Sequence, residues 1–526
     1  MKYAFLIAAP HSGSGKTTLA RGLMALFTQQ SLRVQPFKCG PDYIDTKFHE
    51  EVCQRPSINL DTFMATEEHV RDLFGRYTQG GDEAPAWARE PADMAIVEGM
   101  MGLFDGYDHD RGSCGEIARM LALPIVLVVD ARSAAYSMAA LLQGFIRFRA
   151  GMRFAGVIFN KVGSPRHEAM LREVADEVGI ACLGCIPRQA ALEQASRYLG
   201  LDFSERTFIN KITATLSAHI DCKRLLEESR LRPSKNEPMS VGPRTYVHSA
   251  TNLCSSAYEH RSVVNATETT SPATYRSILV ARNAESFSFI YQETLDLLHQ
   301  LGEVEFFDPE ERTNDEWQMT NDERRMTNDD LRMTNKCYPI QLKENLIRHL
   351  SLVIRHSQRP FVIRHSSLPS DTLLYLPGGY PEKHLEALMR AEHTRRAIRD
   401  FAEAGGRIIA ECGGMMYLCR EIITDEDTFP MCGVLPYSIT ARQADRRLAL
   451  GYRQFTLDGH EFRGHEFHYT RFIEPLPCSI AQVCDARQRP VPTPVIRYKN
   501  VIASYTHLAP TALLRLADEL LSNNHD

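Results

Sequence analysis

The stretch GRIIAECGGMMYLCREI, Gly406–Ile422, sets a cysteine where a nucleophile could act. A short apolar run ends in Glu411-Cys412-Gly413-Gly414, and a helix-like pattern follows. A strand–cysteine–helix elbow holds the sulfur at a tight turn above a sheet. The glycines let the backbone turn sharply and leave room for a substrate. The thiolate is the reactive form and a nascent helix favours it, so the expectation is a lowered Cys412 pKa. Acyl transfer also needs N–H donors for an oxyanion. The run YLPGGYPE, Tyr375–Glu382, carries Gly378 and Gly379 after another strand, so Gly379 and Gly413 are the expected donors. A base must come within hydrogen-bond reach of the thiol. VIASYTHLAP ends a strand near His507, and RGHEFHYT carries His465 and His468 on an alternating strand. His507 is the expected base, while the His465 segment faces substrate or packs. Cys419, about two helical turns beyond Cys412, is expected to pack on the same helix.

A second chemistry stands at the other end of the chain. AAPHSGSGKTTLARGLMAL places Gly13, Gly15, Lys16, Thr17 and Thr18 between a strand and a helix. Backbone N–H groups at a helix start attract phosphate, and glycine permits close approach. Lys16 adds charge for the β- and γ-phosphates, and the Thr17 hydroxyl can ligate Mg²⁺. Pro10 stands where the usual spacing has glycine. The strand before Gly99 ends in Glu98, where a metal-ligating or water-holding carboxylate belongs. Between them, VQPFKCGPDYIDTKFH carries Lys38, Asp42 and Asp45 in a further loop, where open α/β sheets bind ligands. Two acids there could hold Mg²⁺ or orient a substrate.

These residues need a scaffold, and the patterning supplies one. Short apolar runs at 3–9, 34–38, 94–98, 125–130, 155–160 and 181–186 alternate with helical patterns at 16–30, 134–148 and 167–178. That order predicts a mostly parallel α/β sheet with flanking helices. Residues 232–274 lose periodicity in Ser, Thr, Asn and Pro and read as a linker. A second α/β unit follows over 275–526: strands at 277–281, 304–307 and 372–376, helices at 287–301 and 384–403, antiparallel strands within 448–502, and a closing helix at 511–521. Inside it, Thr-Asn recurs at Thr313, Thr320, Thr327 and Thr334, and Ile-Arg-His at Ile347, Ile354 and Ile363. DNA encoding Phe-Val-Ile-Arg-His-Ser on one strand encodes Arg-Met-Thr-Asn-Asp-Glu on the other. Residues 312–367 therefore read as an inverted-repeat insertion forming a surface loop without a catalytic role.

The 526 residues suit two or three domains, and 44% hydrophobic with 24% charged content is ordinary for globular protein. A net charge of −6 provides no basic field for nucleic acid. No apolar run approaches the ~18 residues of a membrane span, and the opening MKYAFLIAAP reads as a buried first strand. Thirteen scattered cysteines fit a reducing cytoplasm. The lone C-x-x-C at Cys182 and Cys185 lies in a strand-like run without a second pair, which argues against zinc.

Taken together, SGSGKTT, QPFKCGPDYID, NLDTFM, VEGMMGLFDG, PGGYPE, AECGG, GHEFHYT and SYTHLAP resemble the cobyrinic acid a,c-diamide synthase family. The resemblance implies an ATP- and corrinoid-binding amidoligase domain of dethiobiotin-synthetase type at 1–231. It implies a class I-like glutamine amidotransferase domain at 275–526. It further implies Cys412 as nucleophile, His507 as base, Thr17, Asp45 and Glu98 around Mg²⁺, Asn160 as an adenine contact, and Lys38, Asp42 and Tyr43 toward the corrin. The implied reaction amidates the a- and c-carboxylates of cobyrinate through acyl phosphates, with ATP and L-glutamine as cosubstrates. Class I relatives carry His-x-Glu, but Ala509 stands at that Glu position here, and this family commonly has His-Leu-His. Alternatives are the same chemistry on hydrogenobyrinate or nickel sirohydrochlorin, or a partitioning-type ATPase without amidase activity. Assembly as a homodimer is left open.

Overall fold

A computed structural model describes residues 1–82, 84–189, 206–231, 274–311, 368–369 and 371–522. The expected linker (apart from its last residue) and the whole inverted-repeat segment lie outside these. The chain divides into two compact units, Met1–Ser249 with Tyr291–Asp296, and Ala250–Ile290 with Leu297–Asp526.

The first unit is a seven-stranded parallel sheet. Its strands are β1 (Tyr3–Ala8), β2 (Val34–Cys39), β3 (Ile58–Leu60), β4 (Met94–Glu98), β5 (Ile125–Asp130), β6 (Phe154–Val162) and β7 (Cys182–Pro187), in the order β3-β2-β4-β1-β5-β6-β7. Alternation explains the burial. Leu6, Val97, Leu127 and Phe159 pack into one apolar cluster, and Phe5, Ile7, Ile96, Val126 and Ile158 into another. A parallel sheet is covered on both faces, so its strands read as continuous apolar runs. Order reverses around β1, which pairs with β4 on one side and β5 on the other. Ligands bind beyond the carboxyl ends of strands at such a switch point. Helix α1 (Lys16–Gln29) leaves β1 there, and α2 (Asp45–Cys53) follows β2.

The second unit has a six-stranded sheet. Glu303–Phe307, Ser277–Ala281, Thr372–Leu376, Arg407–Glu411 and Val501–Ser504 run parallel in that spatial order, and Val495–Tyr498 pairs antiparallel at the end. A hairpin of two nine-residue strands, Ala449–Leu457 and His460–His468, belongs to a separate sheet that also takes in His507–Leu508.

Several boundaries differ from expectation. The helix expected from residue 134 starts at Met138, and the one expected from 287 starts at Gln292. The helix expected over 384–403 is two, Leu385–Arg390 and Glu392–Glu403, because Ala391 leaves helical geometry. After Cys412 the helix lasts only Gly413–Leu418. Cys419 instead opens the strand Cys419–Ile423, fully buried, with its thiol donating to the Met415 carbonyl at 3.4 Å.

Candidate active site

At the end of β1 the chain turns through Gly15, whose φ of +95° few side chains adopt. A Cβ there would also stand 2.3 Å from Asn160 Nδ2. Asn160, near the end of β6, donates to the Ser14 carbonyl at 2.9 Å and accepts from the Lys161 N–H at 2.9 Å. Lys161 Nζ reaches the Gly13 carbonyl at 3.2 Å and Asp130 at 2.8 Å. The phosphate-loop backbone is thus tied to the two strands beyond β1. Lys16 is buried and donates to the Met101 carbonyl at 2.5 Å, and burial lowers its pKa.

Below the loop lies a charged cluster. Register sets Ile7, Glu98 and Lys38 side by side on β1, β4 and β2. Thr17 Oγ1 donates to Glu98 Oε1 at 2.6 Å and stands 3.5 Å from Asp45 Oδ2. Lys38 Nζ is bonded to Asp45, 3.0 Å from Glu98 Oε1 and 3.6 Å from Asp42 Oδ2. His49 Nε2 is 2.7 Å from the other Glu98 oxygen, and its Nδ1 is 3.0 Å from Ser57 Oγ. Burial alone would raise Glu98, but the Lys38 charge and the His49 hydrogen bond outweigh it and hold the carboxyl low. Burial, and then the Glu98 charge, push Asp45 up to about 8 despite Lys38. Burial alone would lower Lys38, yet Glu98, Asp45 and Asp42 hold it well above an ordinary lysine. Among the described residues no three His, Cys, Asp or Glu side chains form a metal cage. Mg²⁺ needs less: one or two carboxylates with hydroxyl, phosphate and water oxygens. Thr17, Asp45 and Glu98 fit that requirement, and a divalent cation would offset the burial and the Glu98 charge that raise Asp45.

In the second unit three neighbouring parallel strands deliver three pieces to one sheet edge. Thr372–Leu376 leads to Gly378-Gly379, Arg407–Glu411 to Cys412, and Val501–Ser504 to His507. Cys412 has φ +44° and ψ −104°, a strained elbow for a residue with a side chain. Its N–H is pinned to the Ser504 carbonyl at 2.8 Å. A Cβ on Gly413 would meet Gly379 N at 3.0 Å, so the two backbones lie against each other. A Cβ on Gly378 would strike His507 Cε1 at 2.1 Å. His507 is fully buried and pairs in register with His465, ring centroids 6.2 Å apart. His468 stacks on Tyr505 and bonds Glu466 at 2.7 Å. Burial, and then His465 and His468, hold His507 well below the ordinary imidazole value, so the ring rests neutral.

The comparisons follow this division. Residues 5–199 match the CobQ/CobB/MinD/ParA nucleotide binding domain, and residues 350–512 the CobB/CobQ-like glutamine amidotransferase domain. The hydrogenobyrinate a,c-diamide synthase of Mycobacterium tuberculosis strain H37Rv is 32% identical, over 97% of this chain and 95% of its own. That of Rhodobacter capsulatus is 32% identical over 95% and 97%, and that of Streptomyces coelicolor 33% over 89% and 87%. The chain belongs to the cobyrinic acid a,c-diamide synthase family.

As a member of that family it is an amidating ligase with a nucleotide-binding domain and a glutamine amidotransferase domain. The structure gathers Gly13, Gly15, Lys16, Thr17, Asn160, Lys38, Asp42, Asp45 and Glu98 around one sheet edge, with Thr18 next on α1. Asp42 Oδ1 accepts from the N–H groups of Ile44 and Asp45 at 2.8 and 2.9 Å, which starts α2, and Tyr43 is buried beside it. Lys38 faces carboxylates, with 3% of its surface exposed, so its charge acts first on Asp45 and Glu98. Sequence reasoning missed His49, the second hold on Glu98; only its place one helical turn after Asp45 hinted at it.

One expectation about this family member is overturned. Cys412 is not a low-pKa thiol: burial, and then the Glu382 and Glu466 charges, push it well above the ordinary value. The helix behind it has six residues, too little dipole to offset desolvation. The Cys182 and Cys185 sulfurs lie 3.9 Å apart on β7, both buried.

Proposed function

We propose that this enzyme amidates the a- and c-carboxylates of cobyrinate, spending one ATP and one glutamine on each. The convergence of Cys412, Gly378-Gly379 and His507 on three adjacent strand ends supports the glutamine half of this reading. His507 takes the Cys412 proton as sulfur attacks the glutamine amide carbon. The N–H groups of Gly379 and Gly413 receive the oxyanion, His507 returns the proton to the amide nitrogen, which leaves as ammonia, and water hydrolyses the thioester to glutamate and the free thiol. In the nucleotide unit a carboxylate oxygen of the corrin attacks the γ-phosphorus of ATP, giving acyl phosphate and ADP. Ammonia then adds to the acyl carbon and phosphate departs. Mg²⁺, held by Thr17, Asp45 and Glu98, would offset charge on the transferring phosphoryl group. In this reading Lys16 would hold the phosphates and Asn160 would contact adenine, while Lys38, Asp42 and Tyr43 would meet the corrin.

The relatives named above are hydrogenobyrinate a,c-diamide synthases, which favours the metal-free macrocycle as a second reading. Mass spectrometry of products from each macrocycle with ATP and glutamine separates the two. A gain of two amide groups on cobyrinate, faster than on hydrogenobyrinate, is expected, and the reverse preference replaces the first reading by the second. Cys412→Ala should lose synthesis from glutamine and keep synthesis from ammonium salts. Retained glutamine use in that variant would refute the assignment of the nucleophile.

A further inference from the structure

We propose that Glu411, the residue before the nucleophile, is the positioning residue that receives the Nδ1–H of His507. The inference rests on the glutaminase reading above. Position 509 carries only a methyl group, and the Ala509 N–H is spent on the Arg463 carbonyl at 2.9 Å. Glu411 approaches His507 from a different strand, with Oε2 4.0 Å from Nδ1 and 4% of the side chain exposed.

Its placement is fixed from three sides. Oε1 accepts the Leu508 N–H at 2.9 Å, next in chain to His507. Oε2 accepts the Tyr375 hydroxyl at 2.9 Å, from the strand that leads to Gly378-Gly379. Its own strand ends at Cys412. One carboxyl group therefore ties together the segments that carry the nucleophile, the oxyanion donors and the base. A buried acid at the tip of an otherwise apolar strand is costly unless its oxygens are satisfied. Here hydrogen bonds satisfy both oxygens, and they leave Oε2 directed at the imidazole. Burial pushes Glu411 up to about 8, against the Leu508 N–H and Tyr375 hydroxyl, whose hydrogen bonds favour the carboxylate. Among the described residues, His465 and His468 also act on His507, and their charges oppose its protonation. When Nε2 takes the Cys412 proton, the new positive charge draws Nδ1–H onto Oε2. The 4.0 Å separation shortens to hydrogen-bond length, as catalytic contacts commonly do in the reacting complex.

The test is steady-state kinetics with both nitrogen sources on Glu411→Gln, Glu411→Asp and Tyr375→Phe. Glu411→Gln should lower glutamine-dependent kcat by about 10²-fold, leave the glutamine KM within about twofold, and leave ammonia-dependent synthesis intact. Glu411→Asp should recover at least a tenfold part of the loss. Should Glu411→Gln fail to fold, Tyr375→Phe carries the test, with a several-fold fall in kcat at unchanged KM. Full kcat in Glu411→Gln, or in Tyr375→Phe where only that variant folds, overturns the positioning role. So does a loss of ammonia-dependent synthesis equal to the loss with glutamine. Cys412→Ala in parallel separates the two levels: if it keeps glutamine use, the glutaminase reading fails first.

Discussion

Gly378→Ala should disable the glutaminase while sparing the ligase. The added methyl carbon would lie 2.1 Å from His507 Cε1 and 2.9 Å from its Nδ1. Ordinary contact begins near 3.4 Å, so ring or loop must give by about 1.3 Å. The ring has little room to retreat, being fully buried with Phe289 and His465 around it at centroid distances of 6.1 and 6.2 Å. Misplacing a reacting group by about 1 Å costs about 10²-fold in rate, which is about 2.7 kcal/mol of barrier. The expected oxyanion donors, Gly379 and Gly413, are not substituted, so the loss is assigned to the base. Overpacking costs about 1–3 kcal/mol of stability, so the assay runs well below the melting temperature. Glutamate release from glutamine is measured beside amide formation from ammonium chloride. The first should fall about 100-fold and the second stay within twofold. A variant with full glutaminase activity, or with both activities lowered alike, would refute the packing argument.

Two further outcomes are expected. Glu98→Gln should lower synthesis from both nitrogen sources by at least about 100-fold, since it removes the charge that Lys38, His49 and Thr17 are built around; glutaminase activity without macrocycle should remain, and loss of that activity alone would count against the division of labour. The pH dependence of stability gives a check on Glu411. Its folded pKa of about 8 lies above the ordinary carboxyl value of 4.5, so its contribution is full below about pH 4.5 and is lost as pH rises through about 8. Glu411→Gln has no such proton to lose, so its melting temperature relative to the parent should rise by a few degrees between pH 5 and 8.5. A gap independent of pH would mean that burial does not hold Glu411 neutral.

Some of this was open to a reader of the sequence because single residues there carry local constraints. Gly15 before Lys16, Glu98 at a strand end, and Cys412 between an apolar run and two glycines each demand a turn or an exposed reactive group, and each sits at a sheet edge. Strand limits such as 94–98, 125–130, 277–281 and 372–376 match because each apolar run begins directly after a charged residue or a proline, Asp93, Pro124, Arg276 or Asp371. The misses share a physical cause. Thiol acidity depends on how much water and charge surround the sulfur, which local helix-start logic leaves out, so desolvation of Cys412 went unforeseen. The short helix after it stops because Cys419 pairs with Leu435 from a later strand, a tertiary choice that no local period records. Glu411 makes the same point for chemistry. A search for a carboxylate two residues beyond His507 finds Ala509. The side chain that meets the imidazole precedes the cysteine by one residue and stands nearly a hundred residues before the histidine. What joins them is the parallel pairing of Glu411 with Ser504, three residues before His507. The Glu411 carboxyl is therefore brought to the imidazole by sheet register, which a search near His507 in sequence does not reach.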